Sequence, residues 1–169
     1  MTIENSTLND LTTIFEFYAA AVAYQKTKFN KHWQDFDKEM VQTEIRENRQ
    51  WKILIDGKTT CVFATTYEDP FIWGEANAIP AVYLHRIVTH PDFKGNNFVV
   101  QILAWAKEHA KTLGMDYVRM DTWGDNEELI QYYCKCGFHY LGNTTPTETA
   151  ALPKHYSAIS LALFEVKVD

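Results

Sequence analysis

Apolar residues at Leu8, Leu11, Ile14, Phe15, Tyr18, Ala21 and Val22 return every three or four positions, the interval that keeps one face of a helix apolar. This spacing predicts a first helix over 8–25, with Ser6 and Asn9 as candidate caps. Met40, Val41, Glu44 and Ile45 follow Asp37 at helical spacing and predict a second helix capped by that aspartate. At Trp51 the period changes to two. Trp51, Ile53 and Ile55 alternate with Lys52, Leu54 and Asp56, and Asp56-Gly57 marks a tight turn into an antiparallel partner over 59–67. Residues 68–80 carry prolines, a glycine and no sustained period, and read as a long loop.

Beyond that loop, strand and helix patterns take turns. Val82 to Thr89 is apolar and rich in β-branched residues, which predicts a strand. Phe98, Val99, Ile102, Leu103, Ala106, Ala110 and Leu113 form a broad helical face over 97–113, and Gly114 suits its end. A strand over 117–122 follows, then a helix from Asp125 or Asn126 through Cys136 that Gly137 ends, then strands over 138–141 and 157–168. The order predicts an α/β (α+β) fold, a mixed sheet flanked by helices, in a single domain over 1–169.

Charge and composition narrow the partners. The net charge is -6 and the sequence pI about 5.5, so the long-range field repels polyanions, and nucleic acid is not an expected partner. No run approaches the roughly 20 apolar residues that span a bilayer, and no basic start leads into an apolar stretch, so we expect a cytoplasmic protein without a membrane partner. Cys61, Cys134 and Cys136 are odd in number and read as reduced thiols. Cys134 and Cys136 lie two apart on a predicted helix and point in different directions, so with His139 they do not converge on an ion, and no metal is expected.

The segment PDFKGNNFVVQIL, 91–103, runs from a loop into a helix. The start of a helix offers unpaired backbone N–H groups and a partial positive charge, so Lys94 to Val99 suit a pyrophosphate. Taken alone, the fragment fits an ordinary strand-to-helix turn as well. His85 shares strand parity with Tyr83, Ile87 and Thr89, and its imidazole titrates near neutral pH, which makes it a candidate base; a core histidine fits the same position. Arg86, of opposite parity, is expected to anchor a carboxylate elsewhere, with Asp121 a candidate. In the loop before this strand, Phe71, Trp73, Asp69 and Glu75 are placed to shape a pocket for a cationic amine.

Read together, YLHRIVTHPDFKGNNFVVQIL, YVRMDTWGDN and LIQYYCKCGFHYLG resemble the GNAT superfamily of coenzyme A-dependent N-acyltransferases, closely over about residues 81–142. The resemblance implies a mostly antiparallel central sheet splayed at the coenzyme A site. It also implies acetyl-CoA as cosubstrate, with an amine, here of a small molecule, attacking directly in a ternary complex. Ile87, Val88 and Thr89 would pair their backbone with the pantetheine arm, and Lys94, Gly95, Asn96, Asn97, Phe98 and Val99 would hold the pyrophosphate, with Asn126 also in the coenzyme set. Tyr133, four residues before Gly137, matches the tyrosine that protonates the departing thiolate, and His85 would be the base. Tyr83, Trp73 and Glu75 would face the acceptor.

The phosphate motif departs from the family pattern at Lys94, Asn97 and Val99. Lysine keeps a cation, and asparagine tolerates the left-handed backbone better than most residues. The Val99 side chain either crowds the phosphates or points into the core. A non-catalytic acyl-CoA-binding or protein-interaction domain with a degenerate loop is the alternative reading, and a homodimer stays open.

Overall fold

The computed structural model describes residues 1–147, 150–156 and 159–169. The chain packs as two compact units, each drawn from separated segments: Met1–Thr65, Arg86–Asn96 and Pro153–His155 in the first, Thr66–His85, Asn97–Leu152 and Tyr156–Asp169 in the second. Among the described residues, seven strands follow one another across the sheet in the order β1-β2-β3-β4-β5-β7-β6.

The first unit opens with β1 (Thr2–Asn5), a strand too short for its alternation to stand out in the sequence. A 3-10 turn (Leu8–Asp10) then leads into α1 (Leu11–Lys28). The cap differs from expectation: the Thr7 backbone N–H and hydroxyl both donate to the Asp10 carboxylate, at 2.7 and 3.1 Å. Asp10 also accepts from Lys52 Nζ at 2.9 and 3.0 Å. Burial pushes its pKa up, and the Thr7 backbone hydrogen bond and Lys52 outweigh that, so it lies below the usual value. α2 (Lys38–Arg46) is capped by Asp37, which accepts from the Glu39 N–H, as its sequence predicts. β2 (Gln50–Ile55) pairs antiparallel with both β1 and β3 (Lys58–Thr66). The β2–β3 turn places Asp56 and Gly57 at φ 50° and 76°, the two left-handed residues a type I′ hairpin requires. Ile14, Phe17, Tyr18, Phe36, Val41, Ile45, Val62 and Val88 close the core of this unit.

In the second unit the stretch read as a loop contains a turn of helix, α3 (Pro70–Trp73), and a 3-10 turn (Gly74–Ala78). Both are too short to show a period. β4 (Ala81–Thr89) pairs parallel with β5 (Tyr117–Trp123) from Ala81↔Tyr117 to Leu84↔Met120. α4 (Phe98–Thr112) packs on β5, and α5 (Glu127–Lys135) leads to β6 (His139–Thr144). β7 (Leu161–Lys167) lies between β5 and β6, antiparallel to both. The sequence expectation for this last strand began at 157, and residues 157–158 lie outside the described residues.

β4 belongs to both units, and the change falls at Arg86. Arg86 has φ 51° in the middle of the strand. A left-handed residue with a side chain costs about 1–2 kcal/mol and has the character of a β-bulge, which bends the strand and breaks its alternation.

Candidate active site

His85 stands at the end of the segment of β4 that belongs to the second unit. Its Nε2 lies 3.0 Å from Asp69 Oδ2, and the carboxylate side chain is only 7% exposed. Asp121 on β5 brings a third donor atom: the ligating atoms of Asp69, His85 and Asp121 all lie within 4.8 Å of one another. The cluster brings an imidazole nitrogen to carboxylate oxygens, the group types that proton transfer uses.

The residues behind His85 explain how Asp69 is held there. Asn77 Oδ1 accepts from the Asp69 backbone N–H at 2.6 Å and from the Tyr83 hydroxyl at 3.2 Å. Arg119, buried on β5, donates to the Tyr83 hydroxyl, to the carbonyls of Ala76 and Ile79, and through Nε to Glu165. Its guanidinium lies 4.8 Å from the Trp73 ring centre. Tyr83 and Trp73 are thus buried, at 1% and 6% exposure, while Glu75 is exposed. Burial pushes the Tyr83 phenol above its usual pKa, against the opposing effect of Arg119. The segment 69–79 is fixed by polar contacts that its sequence pattern does not reveal.

The first unit holds the other part of β4. The Arg86 guanidinium pairs with Glu44 of α2, donates through Nε to the Tyr18 hydroxyl at 3.1 Å, and lies 5.2 Å from the Phe36 ring centre. Glu44, not Asp121, is the carboxylate it meets. Burial works against the charged guanidinium, but Tyr18 and Glu44 more than offset it, and Arg86 stays protonated. One signal of this pair was visible in the sequence: Glu44 sits on the apolar stripe of its helix, where an unpaired carboxylate would be costly.

Downstream of β4 the chain turns through Gly95 at φ 86° and Asn97 at φ 54°, ψ 38°. Asn97, which stands where the family pattern has glycine, takes up the left-handed conformation. Its side chain makes no capping bond, so the first amides of α4, at Phe98, Val99 and Val100, keep the unpaired state of a helix start. Phe98 and Val99 are buried, Val99 to 7% exposure, so the valine side chain points into the core. Lys94 Nζ lies 4.0 Å from the Tyr24 ring centre, and the Asn96 side chain donates to the Phe93 carbonyl.

Asn126 caps α5 through a hydrogen bond from the Leu129 N–H at 3.0 Å. Tyr133, partly buried on this helix, packs edge-on against Phe138 and tilted against Phe164. Cys134 is exposed on α5 and Cys136 follows its end.

A chain with this strand order and these elements belongs to the acetyltransferase (GNAT) family, whose family model matches residues 16–138. An uncharacterized N-acetyltransferase of Bacillus subtilis (strain 168), YesJ, is 26% identical over 74 residues, which span 44% of this chain and 41% of that protein. The matched part of the chain thus reaches about two fifths of that relative's length. Among solved structures, a GNAT family acetyltransferase from Listeria monocytogenes superposes with a TM-score of 0.79 at 18% identity, covering 98% of this chain and 94% of that one. Another from Streptococcus agalactiae gives 0.75 at 17% identity, covering 99% and 95%. The structure of yncA, a putative acetyltransferase from Salmonella typhimurium with its cofactor acetyl-CoA, gives 0.69 at 15% identity, covering 99% and 94%. At these identities the likeness establishes the fold. Among the described residues no helix is long and apolar enough to cross a membrane.

Proposed function

We propose that this protein is a cytoplasmic N-acetyltransferase, one catalytic domain over 1–169, that moves the acetyl group of acetyl-CoA to the amine of a small cationic molecule. The observation that carries this reading is the His85–Asp69 pair at 3.0 Å, in a chain of the GNAT family. A protonated amine is drawn by the Asp69 and Asp121 carboxylates and loses its proton to His85, whose imidazolium Asp69 stabilises. The amine nitrogen attacks the thioester carbonyl carbon, the C–S bond breaks, and Tyr133 gives its phenol proton to the departing thiolate; the second proton, shed by the nitrogen as the amide forms, returns through water to the Tyr133 phenolate, and His85 gives its own proton to solvent. No acyl-enzyme forms.

Coenzyme binding falls to the backbone of Ile87, Val88 and Thr89 and to the amides from Lys94 through Val99, with Lys94 adding charge. Two points support the cradle: Asn97 adopts the left-handed conformation, and the Val99 side chain is turned into the core. Glu75 is the exposed acceptor-side carboxylate, and Tyr83 and Trp73 form the buried wall that fixes Asp69. Asn126 contributes by starting the helix that presents Tyr133. No metal takes part in this scheme.

The test is turnover of acetyl-CoA against a panel of amines, followed by thiol release. His85→Gln and Asp69→Asn should each lower kcat/KM at neutral pH by about a hundredfold, with less loss at high pH, where more of the amine is already deprotonated. Tyr133→Phe should lower kcat on a similar scale while leaving coenzyme affinity intact. Turnover within about threefold of the parent, under 1 kcal/mol, removes the residue concerned from the mechanism. A parent that binds acetyl-CoA and acetylates no amine supports the non-catalytic acyl-CoA-binding reading instead.

A further inference from the structure

Arg86 combines a strained backbone with a well-partnered side chain. Its φ of 51° is a conformation that side chains disfavour, and it falls in the middle of a strand. Yet its guanidinium is engaged on every side within the first unit. Glu44 accepts from Nη2, the Tyr18 hydroxyl accepts from Nε, and the Phe36 and Tyr18 rings lie 5.2 and 5.8 Å from its central carbon. Gln50, itself fully buried, donates to the same Tyr18 hydroxyl at 3.0 Å and fixes it. Arg86 thus joins a left-handed backbone position to a side chain held by partners from other elements.

We propose that Glu44 and Tyr18 are positioning residues for Ile87–Thr89. Acting through Arg86, they pin the left-handed turn of β4 and so hold the strand segment that receives the coenzyme. The coenzyme half of this statement rests on the function proposed above; the pin does not. Neutralising Glu44 leaves a buried guanidinium short of its partner. Arg86 then gains by withdrawing, the turn loses what offset its strain, and residues 86–89 relax. Glycine at position 86 adopts positive φ without strain. In its presence the turn no longer needs the pin, and Glu44 should cease to matter.

The experiment is a cycle of Glu44→Gln, Arg86→Gly and the double variant, read by amide hydrogen exchange of residues 86–89 in the unliganded protein and by calorimetric titration with desulfo-coenzyme A. Glu44→Gln should speed exchange in this segment and weaken desulfo-coenzyme A binding about tenfold, while kcat at saturating acetyl-CoA stays within about twofold. The double variant should restore affinity to within about threefold of the parent. A core role without positioning predicts the opposite, losses in the double variant at least as large as in Glu44→Gln. Should Glu44→Gln not fold, Arg86→Gly against Arg86→Ala carries the same test: glycine keeps the exchange pattern and the affinity, alanine loses both. Unchanged exchange in Glu44→Gln, or equal losses for glycine and alanine, overturns the pin. A parent that binds no desulfo-coenzyme A, with exchange shifting as stated, overturns the coenzyme reading and leaves the pin standing.

Discussion

At the scale of single residues, Val99 shows how burial decides a question its identity leaves open. A β-branched residue in a phosphate loop either blocks the ligand or supports the helix beneath it, and at 7% exposure Val99 supports the helix. Val99→Ala should therefore cost about 2 kcal/mol of stability and leave coenzyme affinity unchanged, as urea denaturation and calorimetric titration would measure. Asp10 gives a pH-dependent case. Its pKa is depressed in the folded protein, so its bonds to Thr7 and Lys52 add stability above the ordinary carboxylate range that is lost as pH falls through the folded value. The gap in urea midpoint between the parent and Asp10→Asn should be widest near pH 7 and narrow below about pH 4. A gap that widens in acid would reverse the assigned sign. Neither Asp10's bond to Lys52 nor Asp69's to His85 was legible in the sequence, because each joins residues far apart along the chain and belongs to no periodic pattern.

At the scale of elements, legibility followed length. The long helices and the hairpin repeat their pattern often enough to be read; α4 and α5 fall within a few residues of their predicted spans, and α2 starts after its predicted Asp37 cap. β1 and α3, each four residues long, do not complete enough periods to be recognised. Arg86 is invisible for another reason, since the partners of its side chain, Glu44 and Tyr18, come from elements far along the chain. Helix starts are more transparent. Asn97→Ala should destabilise the protein by about 1 kcal/mol, the cost of a side chain in left-handed backbone, and Asn97→Gly should not. Asn126→Ala should cost about 1 kcal/mol through loss of the α5 cap, and Asn126→Asp should keep it. Equal urea midpoints for the alanine variants and the parent would contradict both assignments.

For the molecule as a whole, coenzyme binding to the native state alone should raise its thermal stability. Acetyl-CoA at a hundred times its Kd adds about 2.7 kcal/mol, which for a chain of this size corresponds to about 5–10 °C in Tm. No shift at millimolar acetyl-CoA would count against the proposed cosubstrate. The segmental make-up of the two units also bears on synthesis. The chain passes from one unit to the other at 65/66, 85/86, 96/97, 152/153 and 155/156. Neither unit has all of its segments until nearly the whole chain has been made, unlike chains whose domains are contiguous and become complete one after another. The first unit waits for residues 86–96 and again for 153–155, by which time nearly all of the second has been made. No cut in the sequence releases either unit whole, so a truncated transcript or a nicked chain yields fragments of both and a complete copy of neither.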